Sequence, residues 1–192
     1  MQSPTNNDGE ILNEFELIAR LSQLESAKTT EGGNTVFTGI GDDAAVVSMP
    51  ASQMLLTADA IVDGVHFRSV DERWFDIGWK CAVSNLSDIA AMGGIPDHAL
   101  VTLGVPPASS IDTYAEFYNG MNAAFSEFGG SIVGGDVVSS ETMFVNLALT
   151  GHPSTDSFGE PMTMRRTEAK VGDLVCVTGP LGSSAGGLEA LL

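Results

Sequence analysis

The sequence predicts a mixed α/β fold of the sandwich kind, an α+β arrangement in which a mixed β-sheet is covered by helices. Short runs rich in β-branched and apolar residues, bounded by Gly, Asp and Pro, alternate with two long stretches of helical periodicity. One of the short runs, Thr142 to Thr150, puts Met143, Val145, Leu147 and Leu149 on one side, the pattern of a half-buried strand. A hydrophobic content of 43% over 192 residues supplies a core, and the length fits one large domain or one domain with a piece of another.

Taken in order, a polar tail over residues 1–9 carries no structural signal, and Ile11, Phe15, Ile18 and Leu21 then recur at helical spacing. A Gly/Thr/Asn-rich loop, Thr29 to Thr35, leads to GIGDDAAVV (Gly39 to Val47), a strand from Gln53 to Asp59, and the turn-rich DGVHF that starts at Asp63. Glu72 to Met92 reads as a long helix dominated by small and apolar residues, stopped by Gly93, Gly94 and Pro96. Cys81, Ser84, Asn85 and Asp88 fall near one face of it. A strand from Ala99 to Val105 precedes a helix from Ser110 to Phe128, with Ser109 or Ser110 as its cap and Ile111, Phe117, Met121, Phe125 and Phe128 as apolar positions. Strands Ser131 to Val137 and Thr142 to Thr150 follow. His152 to Arg165 reads as an irregular connection, Leu174 to Thr178 as another short strand, and the final GPLGSSAGGLEALL as the start of a helix.

Composition narrows the function. A formal charge of -17, from 25 acidic and 8 basic residues, argues against a broad nucleic-acid footprint and against adhesion to anionic membranes. No apolar run approaches the roughly 20 residues that span a bilayer, and MQSPTNNDGE has neither the basic head nor the apolar stretch of a secretory signal, so a cytoplasmic protein is expected. Cys81 and Cys176 sit in apolar runs without metal-binding spacing and read as buried small hydrophobes. A phosphate ligand must arrive at so acidic a chain with cations.

Asp42, Asp43, Asp59, Asp63, Asp88 and Asp136 stand beside glycine or within apolar surroundings, where a carboxylate costs free energy unless something pairs with it. Hard oxygens of this kind suit Mg²⁺, which takes one or two protein carboxylates and completes its shell from water and phosphate. Turn or cap chemistry explains Asp42 and Asp63 equally well. It explains Asp88, inside NLSDIAAMGG, and Asp136, inside GGDVV, less well. GIGDDAA also fits a loose GxGxxA pattern, but its paired acids would face a pyrophosphate where bare backbone N–H groups are required, which excludes a dinucleotide loop. A lone histidine in the setting of His66 is more often a hydrogen-bonded structural residue, and His98 and His152 read as surface positions. Arg165 and Arg166, the only adjacent basic pair, could meet a phosphate or pair with neighbouring acids.

In this order GIGDDAAVV, LTADAIVDGVHF, WKCAVSNLSDIAAMGG, GGDVV and AKVGDLVCVTGPLGSSAGGL resemble the thiamine-monophosphate kinases, from about Glu14 to Leu192. These are similar in fold to aminoimidazole ribonucleotide synthetase and selenophosphate synthetase, and GVHF with NLSDIAAMGG points to the thiamine branch. The resemblance implies ATP- and Mg²⁺-dependent phosphorylation of thiamine monophosphate to thiamine diphosphate, with no covalent enzyme intermediate. It implies Asp43, Thr57, Asp59, Asp88 and Asp136 as magnesium ligands, Asp88 being shared between ions, and His66 as a contact to thiamine monophosphate. Gly135, Asp136 and Arg166 would approach the nucleotide, with Tyr118 packed near its base. Ala58 departs from the family, which carries Ser or Thr there.

The resemblance further implies a division into a tail (1–9), an ATP/Mg-binding amino-terminal domain (10–152), and a linker with the truncated start of a carboxy-terminal domain (153–192). That second domain would supply more aspartates and the pocket for the thiamine rings, so these residues hold half a site. Two amino-terminal sheets would close into a barrel across a homodimer. Two other readings stay open: another ATP-dependent enzyme of the superfamily, and a non-catalytic acidic module that binds divalent cations without nucleotide.

Overall fold

The computed structural model describes residues 17, 19–21, 23, 36–38, 46–47, 53–107 and 109–191, with backbone alone at 36–38, 46–47 and 191. Leu17 and residues 19–21 are helical, and Leu17 and Leu21 are buried in the core. The short strands β1 (Val36–Thr38) and β2 (Val46–Val47) pair antiparallel. Next come β3 (Leu55–Val62), α1 (Trp74–Ala91), β4 (Gly94–Val105), α2 (Ile111–Phe128), β5 (Ser131–Ser139), β6 (Phe144–Thr155) and β7 (Pro161–Met162). A 3₁₀ turn at Arg166–Glu168 and a last helix, α3 (Ser183–Leu191), complete the chain order.

The main sheet has the order β3-β6-β4-β5, with β7 on the end of β6. Among the bonded neighbours of this sheet only β4 and β5 run parallel, joined by the helical crossover α2; β3 and β4, joined by α1, also point the same way but are separated by the antiparallel β6, and the remaining pairs are antiparallel. The expected alternation in β6 holds, and Met143, Val145, Leu147 and Leu149 are all buried. They meet Ala99, Val101 and Leu103 of β4 and the apolar sides of α1 and α2. A mixed sheet with helices on one face is the architecture that the alternating pattern predicts.

The two helices cross closely because glycine marks the contact. A Cβ on Gly78 would stand 1.9 Å from the Phe117 carbonyl oxygen, and one on Gly120 would stand 1.9 Å from that of Phe75. Ser110 is the cap of α2, its hydroxyl accepting from the Asp112 N–H at 3.3 Å. The other face of the sheet is open and partly apolar, with Leu56 69% and Leu100 49% exposed.

Several expectations are corrected. The stretch from His152 to Arg165 contains the end of β6 and the β6–β7 hairpin. Leu174 to Thr178 forms no strand: a strand needs a neighbour to bond its N–H and C=O groups, and this segment has none among the described residues, its side chains lying exposed. Cys176 is accordingly exposed, whereas Cys81 is buried as expected. No helix among the described residues is long and apolar enough to cross a membrane.

Candidate functional site

The free edge of β3 meets the side of α1, and a fully buried amide joins them. The Asn85 Oδ1 accepts the outward-pointing N–H of Asp59 at 3.0 Å, and its Nδ2 donates to the Cys81 carbonyl at 3.3 Å. One turn further along α1, Asp88 Oδ2 accepts the Thr57 hydroxyl at 2.6 Å. Thr57 and Asp59 pair with Leu149 and Leu147 of β6, so both project from the helix-covered face. Thr57 and Asp88 line a cavity of about 570 Å³ whose other walls include Leu55, Ile89, Met92, Met164, Arg165 and Arg166. Hard oxygens and two arginines thus line one open cavity, with the Arg165 guanidinium 4.0 Å from the Glu168 carboxylate.

Asp88 is exposed, contrary to what its apolar neighbours suggest. The buried stripe of α1 runs through Ile77, Cys81, Ala82, Asn85, Leu86 and Ile89, and Asp88 lies beside it, toward the edge of β3. Alanines 90 and 91 are also exposed, so small apolar neighbours did not imply burial here.

Asp136 lies elsewhere. It is in register with Thr102, Thr102 with Asn146, and Asn146 with Ala60, which puts it on the open face, opposite to Thr57 and Asp59. Three strand spacings of about 4.8 Å add to roughly 14 Å across the sheet. Gly135, Asp136 and the buried Tyr118 border a separate cavity of about 70 Å³, together with Leu21, Val101, Gly134 and Val137. That is space for about two waters. Gly135 has a structural reason of its own, since a Cβ there would stand 1.9 Å from the Val101 carbonyl oxygen. Asp43, with Asp42, falls outside the described residues. Among the described residues no cluster of three or more His, Cys, Asp or Glu side chains could hold a metal ion.

His66 projects from the turn after β3. Its Nδ1 accepts the Val62 N–H at 3.1 Å, and the Lys80 ammonium donates to its carbonyl oxygen. Asp63, by contrast, is turn chemistry: its carboxylate accepts the Ser69 N–H at 3.0 Å and the Ser69 hydroxyl at 2.5 Å.

The histidines read as surface positions are not. His98 is 4% exposed, and neither ring nitrogen has a hydrogen-bond partner among the described residues. Burial holds its pKa below the ordinary value against the opposing pull of Asp97. His152 is mostly buried and its Nδ1 lies 2.9 Å from Oδ1 of Asp97, itself 2% exposed. Asp97 follows a proline in a run that reads as a helix stop, so nothing in the sequence marks it as buried. Burial, and then the charge of Asp59, push the Cys81 thiol up to about 12, which makes it a packing residue and no nucleophile.

A family model described as "AIR synthase related protein, N-terminal domain" matches residues 41–152. The chain belongs to this family. Within the AIR synthase related proteins its relatives include thiamine-monophosphate kinases, as the motifs suggest. That of Bacillus subtilis (strain 168) is 36% identical over 183 residues, covering 94% of this chain and 53% of the relative. The solved thiamine-monophosphate kinase of Stenotrophomonas maltophilia K279a superposes with a TM-score of 0.58 at 37% identity, over 73% of this chain and 42% of that one. AaThiL complexed with AMPPCP and TMP gives a TM-score of 0.51 at 34% identity, over 53% of this chain and 33% of that one. The chain spans about half the length of the curated relatives it matches.

Proposed function

We propose that this chain is the amino-terminal half of a thiamine-monophosphate kinase, which transfers the γ-phosphoryl of ATP to the phosphate of thiamine monophosphate. The observation that carries the reading is the edge of β3, where Thr57 and Asp88 meet in a cavity walled by Arg165 and Arg166. The relatives' names, and the AMPPCP and TMP bound by AaThiL, support the choice of donor and acceptor.

The donors fit magnesium by chemistry: a hydroxyl and a carboxylate on two rigid elements, with Asp59 two residues along the same strand face. Thr57, Asp59 and Asp88, with Asp43, would hold it, and bound Mg²⁺ would neutralise charge on the transferring phosphates, while Asp136, on the opposite face of the sheet, would serve a separate ion. The remaining work belongs to the chain. Arg166 pairs with nucleotide phosphate, His66 donates to the acceptor phosphate, and the Asn85 bond fixes the strand edge that carries Thr57 and Asp59. No side chain need act as a nucleophile, because in-line transfer between two phosphates demands position and charge compensation.

The domain division at residues 10–152 and 153–192, a cytoplasmic location and a homodimer are parts of the same proposal. The exposed apolar side chains of Val171, Leu174, Val175 and Val177 support a second domain that would cover them. The open sheet face bearing Leu56, Leu100 and Val138 supports a barrel closed across two copies.

The test is ADP release with Mg-ATP and thiamine monophosphate, in a version extended to the relatives' length. Release that depends on thiamine monophosphate is expected, falling at least tenfold in Asp88→Asn and little in Asp63→Asn. ATP turnover indifferent to thiamine monophosphate would sink the reading.

A further inference from the structure

At one end of the sheet β4 and β5 each carry an irregularity, and the two lie side by side. The pairing of β4 with β6 steps from Pro96–Gly151 to Ala99–Leu149, so Asp97 and His98 together stand opposite Thr150. The pairing of β5 with β4 steps from Ala99–Ile132 to Leu100–Gly134, which leaves Val133 as the extra residue. An extra residue in a strand is a bulge, and it decides which face every later side chain takes. Asp136, in register with Thr102, lies just beyond the second bulge.

Most polar groups of the first bulge are bonded. Thr150 Oγ1 accepts the His98 N–H and donates to the His98 carbonyl, both at 3.1 Å, and the Asp97 carboxylate meets His152 Nδ1 at 2.9 and 3.0 Å. Three atoms are left over. Both ring nitrogens of His98 and the Ser131 hydroxyl are buried without a hydrogen-bond partner among the described residues, in residues 4% and 3% exposed. His98 and Ser131 are register partners on adjacent strands, so their side chains leave the same face of the sheet about 4.8 Å apart. The chain reaches Ser131 through Gly129 and Gly130, both at φ +92°, and a Cβ on Gly130 would stand 3.4 Å from the Asp97 carbonyl oxygen, which packs the entry of β5 against the bulge of β4.

Buried polar atoms of native proteins are bonded to protein or to ordered water in the large majority of cases. Burial lowers the His98 pKa, so near pH 7 the ring is neutral, with one nitrogen donating and the other accepting. What meets the ring must therefore accept at one nitrogen and donate at the other, which no simple ion does. The two nitrogens also point away from each other, so one molecule cannot serve both.

We propose that His98 and Ser131 hold two buried waters, one bridging the Ser131 hydroxyl to a ring nitrogen and one on the other nitrogen, and that the bridge pins the bulge in β5. About one buried water per 27 residues is ordinary for a globular protein, so two are well within what 192 residues hold. The bridge ties β5 to β4 two residues before Val133, where the strands would otherwise slip. On the function proposed above it thereby keeps Asp136 on the face where its ion would bind; the water site itself does not rest on that reading.

The experiment is water-selective NOE spectroscopy and amide hydrogen exchange on the ¹⁵N-labelled 192-residue chain, repeated on Ser131→Val. In the wild type the His98 ring N–H and the Ser131 amide should show transfer of the sign that marks long-lived water. Ser131→Val fills the bridging position without a polar atom. It should abolish the transfer at residue 131 and speed exchange at least tenfold at the amides that β5 donates to β4 between Gly134 and Val138, with β3 and β6 within about twofold of wild type. Ser131→Ala serves if the Val variant fails to fold. The site is refuted by a wild-type chain without long-lived water at His98 and Ser131, or by a protein side chain found bonded to these atoms. The pin is refuted by exchange in β5 that the substitutions leave unchanged. An extended chain that fails to phosphorylate thiamine monophosphate leaves the waters in place, and their absence leaves the kinase assignment in place.

Discussion

Replacing Asn85 by alanine should destabilise the chain by about 3 kcal/mol. The side chain is 0% exposed and bonds across two elements, accepting from the Asp59 N–H on the open edge of β3. Losing that bond costs about 1 kcal/mol, and leaving a part-buried amide without a partner adds about 1 kcal/mol or more. The space left by the amide, against Cys81 and Ile89, adds about another 1 kcal/mol. The Cys81 carbonyl loses little, since it keeps its helical acceptor role. For a chain of this size the sum corresponds to a fall in Tm of roughly 6–12 °C. Urea denaturation should give a lower midpoint with an unchanged m-value, and hydrogen exchange should accelerate at the Asp59 amide. Ser87→Ala, on the exposed side of the same helix, should change stability by less than about 0.5 kcal/mol. A loss below 1 kcal/mol in Asn85→Ala, with the Asp59 amide still protected, would mean that the bond does not hold the strand edge.

Further outcomes follow from single contacts. Gly78→Ala and Gly120→Ala should each cost more than about 3 kcal/mol, because the added Cβ meets a backbone oxygen at 1.9 Å and helices must separate to admit it; thermal melts near wild type would show that the crossing is looser. Gly64→Ala, where φ is +78° and nothing lies within 4 Å, should cost only about 1 kcal/mol of backbone strain. Cys81, with its thiol pushed up to about 12, should resist alkylation at pH 8 under native conditions while the exposed Cys176 reacts quickly, as peptide mapping would reveal. For His98, whose folded pKa is lowered by burial, the unfolded chain binds the proton first, near pH 6.5. Its stabilising contribution is therefore complete above that value and is lost as pH falls below it. His98→Phe should flatten the decline in stability between pH 7 and pH 5, and an unchanged slope would assign the decline to other groups.

The parts of this fold that were legible are those governed by one periodicity. Met143 to Leu149 alternate, and they alternate in the structure; the two long helices end within two residues of their Gly signals, and α2 begins directly after its Ser110 cap. What periodicity could not give was register. Asp59 and Asp136 both sit in Gly-Asp or Ala-Asp contexts on strands, yet pairing through β6 and β4 sends them to opposite faces, and a single shift in register would reverse that. Asn85 was within reach, since a polar residue four positions after a buried cysteine on an apolar stripe requires a partner. The Asp97–His152 pair was not, because it joins residues 55 apart in sequence through the β4–β6 pairing. Leu174 to Thr178 has the composition of a strand, but a strand is a property of two segments, and only one is present among the described residues.

The position of the site follows from the same edge. A strand inside a sheet spends its N–H and C=O groups on both neighbours, whereas among the described residues β3 has β6 on one side only, and on the other α1 bonds the Asp59 N–H through Asn85 and the Thr57 hydroxyl through Asp88. That leaves a rigid, polar seam on an otherwise apolar layer, with Thr57 and Asp59 fixed to better than loop precision. The basic pair Arg165–Arg166 reaches the seam only because the β6–β7 hairpin turns the chain back: Ser154 N bonds the Gly93 carbonyl at 3.1 Å and Met164 N bonds the Met92 carbonyl at 3.0 Å, which ties the end of α1 to the residue before the arginines. In a chain with three times as many acids as bases, it is the backbone that brings this basic pair to the cavity, and Arg165 lies 4.0 Å from Glu168 on the same turn. On the proposed function this tie is what lets one segment both hold phosphate and lead onward to the residues that would enclose the acceptor. Lengthening the chain between Met162 and Arg165 by two glycines should therefore weaken Mg-ATP binding in the extended protein by at least tenfold while leaving the melting of the sheet unchanged, and an insertion without effect on binding would detach the arginines from the site.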